Sequence, residues 1–289
     1  MKLDLEMAEP EPVPTEENPF ALGWRYTKGR SKGQDWRVPL TEDDLVYPQE
    51  DDFVVNNEAH HDDRGYLIEV FKDRIAGKPG LRVLGDHLID FEHPAVKKYL
   101  GPDVIVFNGE PRTWNRKKAV FPVKRMKARP LFAIEITSPT TRKKDLTTKP
   151  KVFYTVGIPL YVLIDLSYGG GRNPHGIIAF QAGPTEYEPL RKEANGRVWL
   201  EVVEVFLAVE NDRVVCYDRD GQRIPSGSEI RQKVREARAR TEAAEALVVA
   251  EKARADTEKA RANESARKLA ELEAEICRVR GEPPPSPAS

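Results

Sequence analysis

The fold of this chain is decided between residues 102 and 165, in PDVIVF (102–107), AIEITSPTTRKKDLTTK (133–149) and VGIPLYVLID (156–165). Each block contains an apolar run of strand length, and the first two runs carry one carboxylate each, Asp103 and Glu135. A basic stretch with Asp145 and Lys149 follows the second run. Two carboxylates on neighbouring strands beside a lysine are the groups that metal-assisted phosphodiester cleavage requires.

Glu135 is the most constrained of these residues. Side chains alternate along a strand, so Glu135 shares a face of LFAIEIT (131–137) with Leu131 and Ala133. An ionised carboxylate among apolar neighbours costs several kcal/mol unless another group compensates its charge. That group is a metal ion, a lysine or an arginine, and a purely structural ion pair stays open as the alternative.

Asp103 opens the preceding strand, directly after Pro102. A Pro-Asp pair is also typical of a turn before a strand. If the two strands are neighbours, however, Asp103 and Glu135 can converge on one hard cation. Mg²⁺ (or Mn²⁺) suits such a site, since it accepts few protein oxygens and keeps positions for water and a substrate phosphate.

Lys149 supplies the third function, because an ammonium group near the attacked phosphate stabilises the developing negative charge. It precedes Pro150, which we expect in the first turn of a helix over 148–156 with Thr147 as a cap. Asp145 is expected to orient this stretch or to pair with a basic neighbour.

The predictions for the other polar residues near these blocks are less specific. The basic residues Arg142, Lys143 and Lys144 either contact a nucleic-acid backbone or lie in a solvated loop. We expect His60 and His61 on the surface of an acidic helix start. Asp165 ends its strand and could approach the site, but we expect a cap or turn residue there.

The chain order predicts an α/β (α+β) core. Residues 1–19 are acidic and proline-rich and are predicted to be a disordered tail. A domain over 20–222 begins with an arm whose aromatic residues, among them Tyr26 and Trp36, are expected to anchor it on the core. A helix over 59–75, capped by Asn56 or Asn57, precedes the strands, which are predicted at 81–92, 102–108, 130–137, 160–166, 176–182, 198–211 and 213–218.

The last element differs in composition. Residues 226–281 hold a long charged helix with Ser228 as the N-cap and Gly281 as the stop, about 80 Å long. Self-association as a coiled coil is predicted, and a solitary helix held by i,i+4 ion pairs is the alternative. Residues 282–289 are predicted to be a disordered tail. The heptad seam reads Ile230, Val234, Ala237, Thr241, Ala244, Val248, Glu251, Ala255, Glu258, Ala262, Ser265, Leu269, Leu272, Ile276 and Val279.

Composition excludes several classes of protein. The net charge is −1, so any nucleic-acid binding needs a local basic patch. The only cysteines, Cys216 and Cys277, form no metal-ligand pattern, which is typical of a reducing compartment. No run approaches the ~18 apolar residues of a membrane helix, and the N-terminus has no signal-peptide pattern. We predict a cytoplasmic protein without a membrane partner.

The quoted blocks resemble the Uma-two family of restriction endonucleases, within the PD-(D/E)XK nuclease superfamily. The resemblance covers about residues 40–220 and implies a mixed sheet flanked by helices, divalent-metal dependence and DNA cleavage. Asp103 matches the Asp of the family's PD motif, and Glu135 matches the acid of the second strand. Thr137 stands where the superfamily lysine would be, and Lys149 is the matching family position. Pro150 and Phe153 depart from the family pattern.

Two hypotheses follow from this resemblance, and a third is a structural protein whose long helix is the functional part and whose globular domain is a recognition head. The first is a metal-dependent DNA endonuclease, with Asp103 and Glu135 holding Mg²⁺ and Lys149 stabilising the transition state. Its coiled coil would join catalytic domains in a homodimer or a higher oligomer. The alternative is a catalytically inactive nuclease-fold protein that binds DNA or acts in assembly through the coiled coil.

Overall fold

The structure is a computed structural model, and it describes residues 19–28, 35–54, 58–110, 114–115, 117–138, 141–166 and 176–281. Both predicted tails, at 1–18 and 282–289, lie outside the described residues, as does the cap predicted at Asn56 or Asn57. The chain divides into two compact units, Met1–Gly227 and Ser228–Ser289.

The described residues of the first unit form strands and three helices, which are joined by short connections. The helices are α1 (Glu58–Arg74), α2 (Arg142–Thr147) and α3 (Lys149–Thr155). The strands are β1 (Gly23–Lys28), β2 (Asp35–Pro39), β3 (Asp52–Val54), β4 (Leu81–Gly85), β5 (Leu88–Asp90), β6 (Val104–Gly109), β7 (Val120–Pro122), β8 (Ala128–Ile136), β9 (Leu160–Asp165), β10 (Gly176–Ala182), β11 (Tyr187–Pro189), β12 (Val198–Leu200), β13 (Val205–Glu210) and β14 (Arg213–Tyr217).

The central sheet has six strands in the order β11-β10-β9-β8-β6-β4. Strands β8 and β9 run parallel and the other neighbours run antiparallel, so the sheet is mixed. Strands β6, β8 and β9 lie inside the sheet with both faces covered, which is why their sequences are almost continuously apolar. The predicted fold class, a mixed α/β core followed by a long C-terminal helix, is confirmed.

Two of the predicted strands are interrupted by a turn. The run 81–92 divides into β4 and β5, and the run 198–211 divides into β12 and β13. Asp86 and Glu204 lie at these interruptions with φ of 56° and 52°, a left-handed conformation that a strand cannot contain. Glu204 gives no signal for its turn, whereas Gly85 and Asp86 are residues that favour a turn.

The sheet separates two apolar cores. One face packs on α1 and on the three-stranded sheet β12-β13-β14, and it buries Val104 and Val106. The other face packs on α3 and on the β5-β7 pair, and it buries Ile105 and Phe107. Side chains alternate along β6, so Asp103 belongs to the same face as Ile105 and Phe107.

A separate three-stranded sheet, β2-β1-β3, precedes α1. It has a small apolar cluster of its own, built on Leu22, Leu40 and Leu45. The expectation that the aromatic residues of this arm anchor it on the core is wrong for two of them, since Tyr26 is 41% exposed and Trp36 is 61% exposed. Three short strands provide too little area to bury so many rings.

The described part of the second unit is one helix, α4 (Gly227–Arg280), of 54 residues. The helix begins at Gly227, so Ser228 lies in its first turn and is not its cap. Gly281 follows the last turn with φ of 70°, as a C-terminal stop requires. The apolar seam positions Ile230, Val234, Leu269 and Leu272 are exposed within this chain. Self-association remains a prediction. No helix in the described ranges is long and apolar enough to cross a membrane.

Candidate active site

The two predicted carboxylates lie on one face of the central sheet. Val104 pairs with Ile134 across β6 and β8, so the next antiparallel pair sets Asp103 opposite Glu135. Directly opposed residues project from the same face of a sheet. The Ile136 amide donates a hydrogen bond to Asp103 Oδ2 over 2.8 Å, which holds this carboxylate against the end of β8. Both acids line an open cleft of about 640 Å³.

Lys149 reaches the same cleft from the start of α3. Its Nζ lies 3.0 Å from Glu135 Oε2 and 2.7 Å from Asp145 Oδ1, and the side chain is almost fully buried. Pro150 occupies the first turn of α3, where a missing N–H costs nothing, so it does not move Lys149 away from the carboxylates. The structure thus brings the three predicted site residues together.

Asp145 fixes the position of the lysine. It is fully buried on α2, one turn before Lys149. Thr141 Oγ1 donates to Asp145 Oδ2 over 2.7 Å, and the Tyr161 hydroxyl donates to the Asp145 carbonyl over 2.9 Å. These contacts hold the Asp145 carboxylate rigidly, so Lys149 has a fixed acidic neighbour besides Glu135.

One oxygen of Glu135 is left open. Oε1 is buried and has no hydrogen-bond partner among the described residues. A buried acceptor without a partner costs about 1–3 kcal/mol, and more when the group is charged. A divalent cation beside Glu135 and Asp103 would compensate that oxygen. The described residues contain no cluster of three or more His, Cys, Asp or Glu side chains able to hold a metal. The two carboxylates fit a cation such as Mg²⁺, because this ion accepts few protein oxygens and takes its other ligands from water and substrate.

The ionisable groups of this cluster differ in the direction in which their pKa values are shifted. Burial raises the pKa of Glu135 well above its usual range, since Lys149 does not offset burial together with the charges of Asp103 and Asp145. Burial would also raise the pKa of Asp103, but contacts with His60, the charge of Lys149 and the Ile136 amide lower it to about 2. The pKa of Lys149 would fall on burial, yet the three carboxylates raise it. Asp103 and Lys149 are therefore ionised at neutral pH, and Glu135 is the member that lacks compensation.

A protein-family model and a solved structure are similar to this chain. The family model described as "Uma2: Putative restriction endonuclease" matches residues 50–232, more than half of the chain. The chain belongs to the Uma2 family. Among solved structures, a "putative nuclease belonging to DUF820" from Anabaena variabilis is similar with 17% identity and a TM-score of 0.41, over 59% of this chain and 95% of that one. A search of curated proteins found no match.

Two residues of the Uma2 site were missed by the sequence analysis. His60 is buried, so its expected surface position is wrong, whereas His61 is exposed as expected. His60 Nε2 lies 2.9 Å from the Ile136 carbonyl oxygen and 3.4 Å from Asp103 Oδ2. Arg64 Nη1 lies 3.6 Å from Asp103 Oδ1. Burial would lower the pKa of His60, but its contacts with Asp103 raise it above its ordinary value.

A signal for these two residues is present in the sequence of α1. Positions 60 and 64 continue the spacing of the apolar residues at 67 and 71, so all four share one face of the helix. The apolar end of that face packs on the sheet through Leu67 and Phe71. The polar end passes beyond the apolar core and meets Asp103.

A second buried ion pair lies beside the site. Asp165 is neither a cap nor a turn residue as expected, because it accepts two hydrogen bonds from Arg142, each of 2.9 Å, and one of 2.9 Å from Thr137 Oγ1. The basic stretch around Arg142 is therefore not a solvated loop but helix α2, and Arg142 is buried instead of contacting a nucleic-acid backbone. Thr137, which occupies the position of the superfamily lysine, belongs to this second pair.

Proposed function

We propose that this Uma2 protein is a divalent-metal-dependent DNA endonuclease. Asp103 and Glu135 hold Mg²⁺ or Mn²⁺, and Lys149 stabilises the transition state of phosphodiester hydrolysis. The observation that carries the proposal is the buried Glu135 Oε1, which has no partner among the described residues and lies in a cleft with Asp103 and Lys149. Family membership supports nuclease chemistry on this fold.

Each side chain has a separate task in this mechanism. The cation, when bound, polarises the phosphoryl group and lowers the pKa of an attacking water. Asp103 remains ionised because the Ile136 amide and His60 hold its Oδ2. The ammonium of Lys149 is kept charged by Asp145 and Glu135, so it can stabilise negative charge that develops on the phosphate.

The position of Lys149 also limits how much it can move. Its Nζ is held between two carboxylates on different elements, β8 and α2. An ammonium fixed in this way needs no reorganisation when charge develops on the substrate, which is the condition for effective electrostatic catalysis.

A plasmid-nicking assay tests the proposal. We expect the full chain to nick supercoiled DNA with Mg²⁺ and to stop when EDTA is added. Asp103→Ala and Glu135→Ala should each abolish nicking. Glu50→Gln is the matched control, because Glu50 is an exposed carboxylate that also lines the cleft. Equal cutting by all four proteins would contradict the assignment, and no cutting by any of them would favour an inactive nuclease-fold protein.

We further infer that α4 joins two or more of these units as a coiled coil. Its exposed seam residues, such as Leu269 and Leu272, would be buried in such an assembly. A chain that ends at Ser226 keeps the Ile224 carbonyl, which accepts a 2.6 Å hydrogen bond from Tyr66. Sedimentation should show this short chain as a monomer and the full chain as an oligomer. The same monomeric state for both would exclude the coiled coil.

A further inference from the structure

The small sheet β2-β1-β3 carries an aromatic face that the proposed mechanism does not use. The pairings Trp24 with Phe53 and Tyr26 with Arg37 place these four side chains on one face. Trp36 pairs with Thr27, so its side chain lies on the opposite face. Phe53 is 49% exposed, and Tyr26 and Arg37 are exposed as well.

These rings are ordered with respect to one another. Trp24 and Phe53 are stacked, with centroids 5.7 Å apart and planes 12° from parallel, and Tyr26 meets Phe53 edge-on at 6.0 Å. The Arg37 guanidinium lies 5.1 Å from the centre of the Trp24 ring and 5.8 Å from that of Tyr26. Its Nε donates to the Tyr26 hydroxyl over 3.3 Å. The exposed face therefore combines flat rings with a held positive charge.

The sequence around this face is locally basic. Residues 24–37 read WRYTKGRSKGQDWR and contain five basic side chains and one acidic one, whereas the whole chain has a net charge of −1. This segment also precedes the range 50–232 that the Uma2 family model matches. The strands β1 and β2 thus lie before the matched range.

The aromatic face adjoins the catalytic cleft. Phe53 and its neighbour Asp52 line that cleft together with Asp103, Glu135 and Lys149. The same lining contains further acids, namely Asp44, Glu50, Glu58 and Asp86. The lining also contains the cations Arg64 and Lys149, but carboxylates outnumber them, so a nucleic acid that enters the cleft gains from another source of affinity nearby. Stacking of bases on exposed rings is such a source, since every base has a π-face.

We propose that Trp24, Tyr26, Arg37 and Phe53 bind unpaired nucleotides of a single-stranded or locally opened nucleic acid beside the cleft. Bases within a duplex are stacked on each other and cannot lie on these rings, so the face selects unpaired segments. This inference rests on the proposed function and narrows its substrate class to DNA with an unpaired stretch near the scissile bond.

Fluorescence anisotropy with a labelled oligodeoxythymidylate of about 12 nucleotides tests the inference. The full chain is measured in EDTA, so that binding is separated from cleavage. We expect Tyr26→Ala to weaken binding about fivefold or more, since stacking on one ring contributes about 1–3 kcal/mol. Tyr26→Phe keeps the ring and should retain most of the affinity. A duplex of the same length should bind more weakly than the single strand.

Trp36→Ala is the matched control, because it removes an exposed ring from the other face of the same hairpin. It should leave oligonucleotide binding unchanged. The inference is overturned if the wild-type chain does not bind the oligonucleotide, or if Tyr26→Ala binds as well as wild type. A change of sedimentation mass in Tyr26→Ala without loss of binding would instead identify a protein interface. None of these results depends on nicking, so failure of the proposed function remains a separate outcome.

Discussion

Two buried ionic clusters lie side by side on the central sheet, and they differ in how completely their charges are compensated. In the first, Asp165 accepts three hydrogen bonds from Arg142 and Thr137. In the second, Glu135 contacts Lys149 through one oxygen, while its other oxygen has no partner among the described residues. The closed cluster holds β8, β9 and α2 together, whereas the open cluster is the one that we propose to bind a cation.

The open cluster also carries excess negative charge. Asp103, Glu135 and Asp145 are all buried near a single lysine. Burial is the largest cause of the raised pKa values of Glu135 and Asp145, and the charge of Asp103 adds to it. A protein gains no stability from such an arrangement, and catalytic sites commonly sacrifice stability for function. The comparison therefore predicts opposite responses of the two clusters to mutation.

The largest expected effect is on the closed cluster. Asp165→Ala leaves the buried Arg142 guanidinium without its carboxylate, and it should lower the free energy of unfolding by about 3–5 kcal/mol. Urea titration followed by circular dichroism measures this loss. A change below about 1 kcal/mol would mean that the pair is not structural.

Mg²⁺ should stabilise the folded protein by binding at the open cluster and not at the closed one. With Mg²⁺ at a hundred times its dissociation constant, the wild-type chain should gain about 2.7 kcal/mol, seen as a rise in Tm. Asp103→Asn should abolish that gain because it removes one of the two proposed ligands. Equal Mg²⁺-dependent stabilisation of wild type and Asp103→Asn would place the cation elsewhere.

Removing a charge from the open cluster should stabilise the metal-free protein. Glu135→Gln relieves repulsion with Asp103 and Asp145, and we expect a gain of about 1–2 kcal/mol at neutral pH in EDTA. The folded-state pKa of Glu135 is raised, so the penalty in wild type exists only above its ordinary value of 4.5. The gain should therefore disappear as pH falls below that value. If Glu135→Gln is less stable than wild type at neutral pH, the Glu135 carboxylate does not destabilise the metal-free protein.

The smallest effect concerns one hydrogen bond of the closed cluster. Thr137→Val removes the donor to Asp165 Oδ1, and it should cost about 1 kcal/mol of unfolding free energy. Thermal unfolding measures this loss, and nicking by the folded protein should be unaffected. If Thr137→Val loses nicking activity at unchanged stability, Thr137 belongs to the active site.

The sequence predicts the open cluster better than the closed one. Strand periodicity allows Asp103 and Glu135 to share one face once β6 and β8 are neighbours, and the family resemblance implies Lys149 as the third member. The Arg142–Asp165 pair could not be predicted, because it joins a helix to the end of a strand, and strand periodicity says nothing about such a contact.

Other failures of prediction have similar physical origins. His60 was expected on the surface because its neighbours are acidic, although its spacing from Leu67 indicates the buried face. The turns at Asp86 and Glu204 use left-handed backbone at non-glycine residues. The exposed rings of β1 and β2 oppose the usual preference of large aromatic residues for the interior. In contrast, α4 was predicted along nearly its whole length, because no proline or glycine interrupts it.

The rate of plasmid nicking per folded molecule, compared between Glu135→Gln and Asp165→Asn with Mg²⁺ present, tests the central claim most directly. We predict that Glu135→Gln remains folded and loses about a hundredfold or more in rate, because the cation loses a ligand. Asp165→Asn should be less stable and should nick at close to the wild-type rate. Nicking by Glu135→Gln at the wild-type rate, or an equal loss of rate in both variants, would contradict the division of these clusters into catalytic and structural.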